Sequence, residues 1–82
     1  MAKPVTVERF VQELEKLKAE MDAGKLRHSE YDQRLARVLK ELREHGIDAD
    51  RNRITATLDH LQQRGIITRS VKEHLEKRLG VA

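Results

Sequence analysis

The 82-residue sequence predicts an all-α fold, a small bundle of four helices arranged as two helical hairpins. Apolar residues recur at three- and four-residue spacing along nearly the whole chain, the period of an amphipathic helix. The four glycines each follow one of those apolar stripes, where a helix needs a residue tolerant of positive φ. Composition agrees: 38% of residues are charged, 2% are aromatic and there is one proline, a balance typical of helical bundles.

Helix one is expected from Val7 to Asp22. Thr6 suits its N-cap and Glu8 the positive end of its dipole. Val7, Phe10, Val11, Leu14, Leu17 and Met21 form its apolar stripe, and Gly24 stops it. Helix two is expected to open at Ser29, with Asp32 completing a loose capping box. Its inward face is Tyr31, Leu35, Val38, Leu39 and Leu42, and Gly46 closes it. Helix three follows Asp48 or Asp50 as cap and carries Ile54, Leu58 and Leu61 inward until Gly65. Helix four is short: Ser70 and Glu73 pattern as a capping box, Val71, Leu75 and Leu79 point inward, and Gly80 ends it. Pairs Glu30–Arg34, Lys40–Glu44 and Glu73–Lys77 have the i,i+4 spacing of exposed ion pairs. Ile66-Ile67-Thr68 is the one β-like patch and is too short to count as a strand.

One domain over residues 1–82 is expected, with hairpins at 7–45 and 50–80. A chain this small buries only about 60% of its unfolded surface and has a thin stability margin. The halves resemble each other: Leu17, Gly24, Leu26 and Ser29 recur 41 residues later as Leu58, Gly65, Ile67 and Ser70. Two explanations stand, an ancient duplication or the generic chemistry by which any helical hairpin turns.

The run from Leu14 to Tyr31, with Leu17, Gly24, Leu26, Ser29 and Glu30-Tyr31, resembles the bacterial short C-terminal domain known as SHOCT. In that pattern a leucine-rich helix, Gly, an apolar residue and a hydroxyl residue precede Glu-Phe/Tyr at the start of a second helix. Leu58 to Leu79 is similar to a degenerate second copy, with Lys72 in the place of Tyr31. The resemblance implies a bacterial or phage helical hairpin serving oligomerisation or accessory binding, with no catalytic residues to carry over.

The sequence argues against several function classes. Cysteine is absent, so disulfides and thiolate metal sites are excluded, and a cytoplasmic setting is expected. His28, His45, His60 and His74 lie singly, without the i,i+4 spacing of paired metal ligands. Ser29 and Ser70 are assigned to capping, the carboxylates to ion pairs, and the glycines to helix ends. No catalytic residue, metal, cofactor or small-molecule substrate is therefore expected, and the chain reads as a non-enzyme. No apolar run approaches the roughly 20 residues of a membrane span, and Glu8, Glu13, Glu15 and Glu20 on helix one disfavour anionic lipid.

A macromolecular partner remains. The favoured reading is a small regulatory or adaptor protein working through protein–protein contact, with itself as a homodimer or with another protein. The apolar stripe of helix one is broad for packing on helix two alone, which makes Val7, Phe10, Val11 and Leu14 the candidate partner-binding residues. The alternative is a DNA-binding regulator using helix three, with Arg51, Asn52, Arg53, Thr55, Thr57 and His60 outward, since Arg and Asn read base edges well. Charge decides little: residues 1–45 carry 10 basic and 9 acidic side chains, residues 46–82 carry 7 and 5, and the net formal charge is +3. Against DNA reading, eight residues separate Gly46 from Ile54, too many for a tight helix-turn-helix, and a new helix starts after Arg69 where a wing is expected.

Overall fold

Helix periodicity and capping determine most of this chain's local structure. In a computed structural model describing residues 3–81, 73% of the described residues are helical, far above the usual third. Met1, Ala2 and Ala82, the outermost residues of the expected 1–82 domain, lie outside the described part. Four helices occur among the described residues: α1 (Val7–Asp22), α2 (His28–His45), α3 (Arg51–Gln63) and α4 (Arg69–Leu79). None is long and apolar enough to cross a membrane.

α1 has the expected bounds because its cap is sound: the Thr6 hydroxyl accepts from the Arg9 amide at 3.1 Å. For α3, Asp50 rather than Asp48 is the cap, its carboxylate accepting from the Arg53 amide at 2.7 Å. The second helix of each hairpin starts earlier than its serine suggests. α2 opens after Arg27, whose amide donates to Glu30 at 3.2 Å. α4 opens after Thr68, whose hydroxyl accepts from the Val71 amide at 3.2 Å. Ser29 and Ser70 are the second residues of these helices and cap neither.

The reason lies in the turn before them, which is built the same way twice. Gly24 (φ +74°) and Gly65 (φ +77°) take the left-handed conformation, costly for a residue with a Cβ. Lys25 then donates to the Glu20 carbonyl and Ile66 to the Leu61 carbonyl, each at 2.9 Å, closing a Schellman-type turn. One residue later an apolar anchor is buried, Leu26 in the first hairpin and Ile67 in the second. Once the anchor is seated, the next residue is extended and the helix begins at once. The matched geometry covers the segments whose sequences resemble each other.

Two short strands depart from a purely helical fold. β1 (Val5–Thr6) pairs in parallel with β2 (Ile47–Asp48), Val5 opposite Ile47 and Thr6 opposite Asp48. The expected β-like patch at Ile66-Ile67-Thr68 is not the strand; it is the α3–α4 turn. The β1–β2 clip fastens the start of α1 beside the start of α3, so these helices run parallel. Ion pairs in matching order, Glu8–Arg53 at 2.9 Å and Glu15–Arg64 at 2.8 Å, cross between them. α1 and α2 are antiparallel, held by Arg9–Glu41 at 2.8 Å and Arg34–Glu20 at 3.0 Å. Arg34 therefore pairs across the hairpin rather than with Glu30. Of the expected i,i+4 pairs, Lys40–Glu44 forms at 4.0 Å, while Glu73 pairs with Arg69 instead of Lys77.

The interior is one apolar cluster fed by all four helices, by Val5 and by both anchors. Phe10, Leu14, Leu58, Leu61 and Leu75 are its largest fully buried side chains. The Cα radius of gyration, 12.2 Å, is close to the roughly 12 Å of a packed chain this long, so the hairpins are folded onto each other.

Candidate partner-binding groove between α1 and α3

The α1 stripe has two neighbours to satisfy, α2 on one side and α3 on the other. That uses most of it. Phe10 and Leu14 are each 1% exposed, so these two of the four expected partner-binding residues pack within the chain's own core, while Val7, 6% exposed, is buried along the seam with α3. The stripe is broad because a helix wedged between two others must bury a wide face, and the expected surplus apolar surface is much smaller than the sequence suggested. Val11 remains: it is half-buried, packed on the edge of the core, and it lines an open trough of about 490 Å³ between α1 and α3.

From α3 the trough receives Ala56, Thr57 and His60, and from α1 also Val7 and Gln12. Glu8–Arg53 and Glu15–Arg64 span the same seam. Its apolar strip thus lies between balanced charge pairs, each exposed enough to contribute only about 0–1 kcal/mol to stability. A trough of this kind offers van der Waals contact and matched polar edges to a partner. It holds no pair of titratable groups pressed into a desolvated cleft.

The two candidate sets, placed on different helices by the sequence, meet here in part. Val11 shares the trough with Arg53, Thr57 and His60. Arg51 and Asn52 are exposed at the start of α3 and lie outside its lining. The Thr55 hydroxyl donates to the Arg51 carbonyl at 2.9 Å, so its polar atom already has a partner. Arg53 is doubly occupied, its amide by Asp50 and its guanidinium by Glu8. A base-reading arginine would have to leave that carboxylate, and Glu8 and Glu15 on the facing wall would repel phosphates. α4 also stands where a wing hairpin would be needed.

Sequence reasoning missed Ala56, Gln12 and Glu15. Arg53, Ala56, Thr57, His60 and Arg64 share one helical face beside the buried Ile54, Leu58 and Leu61. That face could be read from spacing alone, but not the helix it would meet.

Two other local environments bear on chemistry. His45, expected on a polar helix end, is half-buried, and its Nδ1 is buried without a hydrogen-bond partner among the described residues. No group of three or more His, Asp or Glu placed to hold a metal ion occurs among the described residues. At the hairpin base, Tyr31 is half-buried beside Asp32, and Lys72 donates to Asp59 across the α3–α4 seam. Burial first, and the Asp32 charge second, push the Tyr31 phenol above its ordinary 10.0. The Asp59 hydrogen bond holds the Lys72 ammonium above its ordinary 10.5.

A phenol with a raised folded value contributes stability that is fully present below its unfolded value and is lost as pH rises through the folded one. Tyr31 is the only tyrosine and there is no tryptophan, so absorbance near the phenolate band reports this residue alone. Its titration midpoint in the folded chain should lie above 10.0 and return to the ordinary value in denaturant. Equal midpoints in the two states would show Tyr31 to be solvated.

No protein-family model matches the chain, and no curated protein and no solved structure shows significant similarity to it, so the chemistry of its own surfaces is what bears on function.

Proposed function

We propose that this chain is a small non-enzymatic regulatory or adaptor protein that acts through protein–protein contact at the α1/α3 trough, with a second copy of itself as partner, in the cytoplasm. The observation that carries the reading is the make-up of the trough: a strip of Val11 and Ala56 whose α1 wall is acidic (Glu8, Glu15) and whose α3 wall is basic (Arg53, with Arg64 next in line). With the two-fold axis along the trough, each wall meets the opposite wall of the other copy, so an acid-on-one-side, base-on-the-other surface is self-complementary. The absence of cysteine suits a reducing compartment. The resemblance to an oligomerising helical hairpin points the same way.

Sedimentation equilibrium over a range of salt tests it. The wild-type chain should self-associate, with affinity that falls only modestly with salt, because the charged walls orient the contact and the apolar strip supplies most of its strength. Phosphate-driven binding of a nucleic acid would instead fall steeply. Ala56 is exposed on α3, and glutamate is a good helix former, so Ala56→Glu should keep the helical signal and sediment as a monomer. A wild-type chain that stays monomeric, or an Ala56→Glu chain that associates like wild type, would overturn the reading.

A further inference from the structure

Three of the four seams between packed helices are crossed by ion pairs. The fourth, between α2 and α4, is crossed by none among the described residues. Instead Lys40 and Arg43 on α2 face His74 and Arg78 on α4 across a groove of about 480 Å³. One carboxylate, Glu44, lines it, 4.0 Å from Lys40. Arg43, His74 and Arg78 make no ion pair among the described residues. Toward the helix N-termini the seam continues over Leu35, Ala36 and Val71.

The helices run parallel here, so their C-terminal ends lie together. Relief of the helix dipoles accounts for Arg43 and Arg78, which occupy or adjoin the last turns. Glu44 offsets Lys40, so three cationic side chains meet a single carboxylate along the groove, with the His74 imidazole between them. Gathering like charge on two facing helices is unfavourable unless a counter-charge arrives.

We propose that the α2/α4 groove binds an acidic amphipathic segment of another protein. Its carboxylates lie over Lys40, Arg43 and Arg78, and an apolar side chain sits over Leu35, Ala36 and Val71. Guanidinium forks suit carboxylates because two N–H groups engage both oxygens at once. The groove offers no Phe, Tyr or Trp to stack a base and no Asn or Gln to read one. Asp32 at one end and Glu44 at the other interrupt any continuous run of phosphates. This groove shares no lining residue with the α1/α3 trough, so the inference stands independently of the self-association reading.

The test is selection of a displayed random-peptide library on the full chain, followed by fluorescence-anisotropy titration of the strongest peptide. Selected peptides should be enriched in Asp and Glu, with apolar residues at three- and four-residue spacing. Arg43→Gln with Arg78→Gln should weaken binding about tenfold or more, the loss expected from roughly 1.4 kcal/mol of charge-assisted contact, while leaving the circular dichroism spectrum unchanged. The paired change Lys16→Gln with Lys25→Gln, which removes the same charge away from the seam, should leave affinity within about twofold. Peptides with no acidic excess, or the double arginine variant binding like wild type, would overturn the proposal. So would a single-stranded oligonucleotide that binds more tightly than the peptide and is lost with the same arginines.

Discussion

Leu58→Ala should be among the most damaging single truncations in this chain. Leu58 is 0% exposed at the middle of α3, where α3 packs on both α1 and α4. Truncation removes buried methyl groups and leaves a void that two helix contacts must close around. That costs about 2–5 kcal/mol. Total stability for a chain this size is on the order of 4–12 kcal/mol, so the variant should lose a large fraction of its stability margin. The melting temperature should fall by about 10 °C or more, since each kcal/mol is worth roughly 4–8 °C in so small a domain. Leu58→Met, which nearly conserves volume, should cost under about 1.5 kcal/mol. Because both hairpins feed one apolar cluster, far-UV circular dichroism and Tyr31 fluorescence should report the same transition. A Leu58→Ala chain melting within error of wild type would show that α3 is not part of a shared core.

The core was legible in the sequence because burial follows the helical period. Leu14, Leu17, Leu39 and Leu58 all sit mid-stripe, and all are buried. α1 was legible to its last residue because Thr6 and Gly24 bracket an unbroken stripe. Helix starts inside the hairpins were not. Ser29 and Ser70 look like caps by residue type, but the buried anchors Leu26 and Ile67 fix where the chain turns, and the caps follow immediately at Arg27 and Thr68. Tertiary burial overrode local capping preference. The β1–β2 clip was hidden for a different reason: its strands are two residues each and lie 42 positions apart by register, so no local pattern marks them.

The site was legible only in halves. Val11 and the polar face of α3 could each be picked out by spacing, but their meeting depends on the clip that sets α1 parallel to α3. Without that neighbour, the stripe of α1 looked too wide for one partner helix, and Val7, Phe10 and Leu14 were credited to an external surface. With it, Phe10 and Leu14 are interior and Val7 is buried on the trough wall. Arg53 shows the same dependence in charge. Read alone it is a free guanidinium suited to a base edge, yet Glu8, 45 positions earlier, takes it at 2.9 Å.

Val11→Glu should abolish self-association while leaving the monomer folded. Val11 is half-buried on the wall of an open trough, so a longer side chain there can swing its carboxylate into water. The cost to the isolated fold should be on the order of 1 kcal/mol, as for other partly exposed sites. Glu8 and Glu15 lie three and four residues away on the same helical face, so the new charge also meets two like charges, each repulsion worth a few tenths of a kcal/mol. In an assembled contact the same carboxylate has no water and no partner, and burying it unpaired costs several kcal/mol. That difference is the signal: helicity largely kept, association lost by a factor of about a hundred or more. Val11→Leu, apolar and slightly larger, should retain the assembly. Arg51→Ala should be silent, because Arg51 is exposed and lies outside the trough lining. Sedimentation of the three variants beside a DNA-shift titration separates the possibilities. If Val11→Glu sediments as wild type, or if Arg51→Ala abolishes a DNA complex that Val11→Glu leaves intact, the working surface is not the α1/α3 trough.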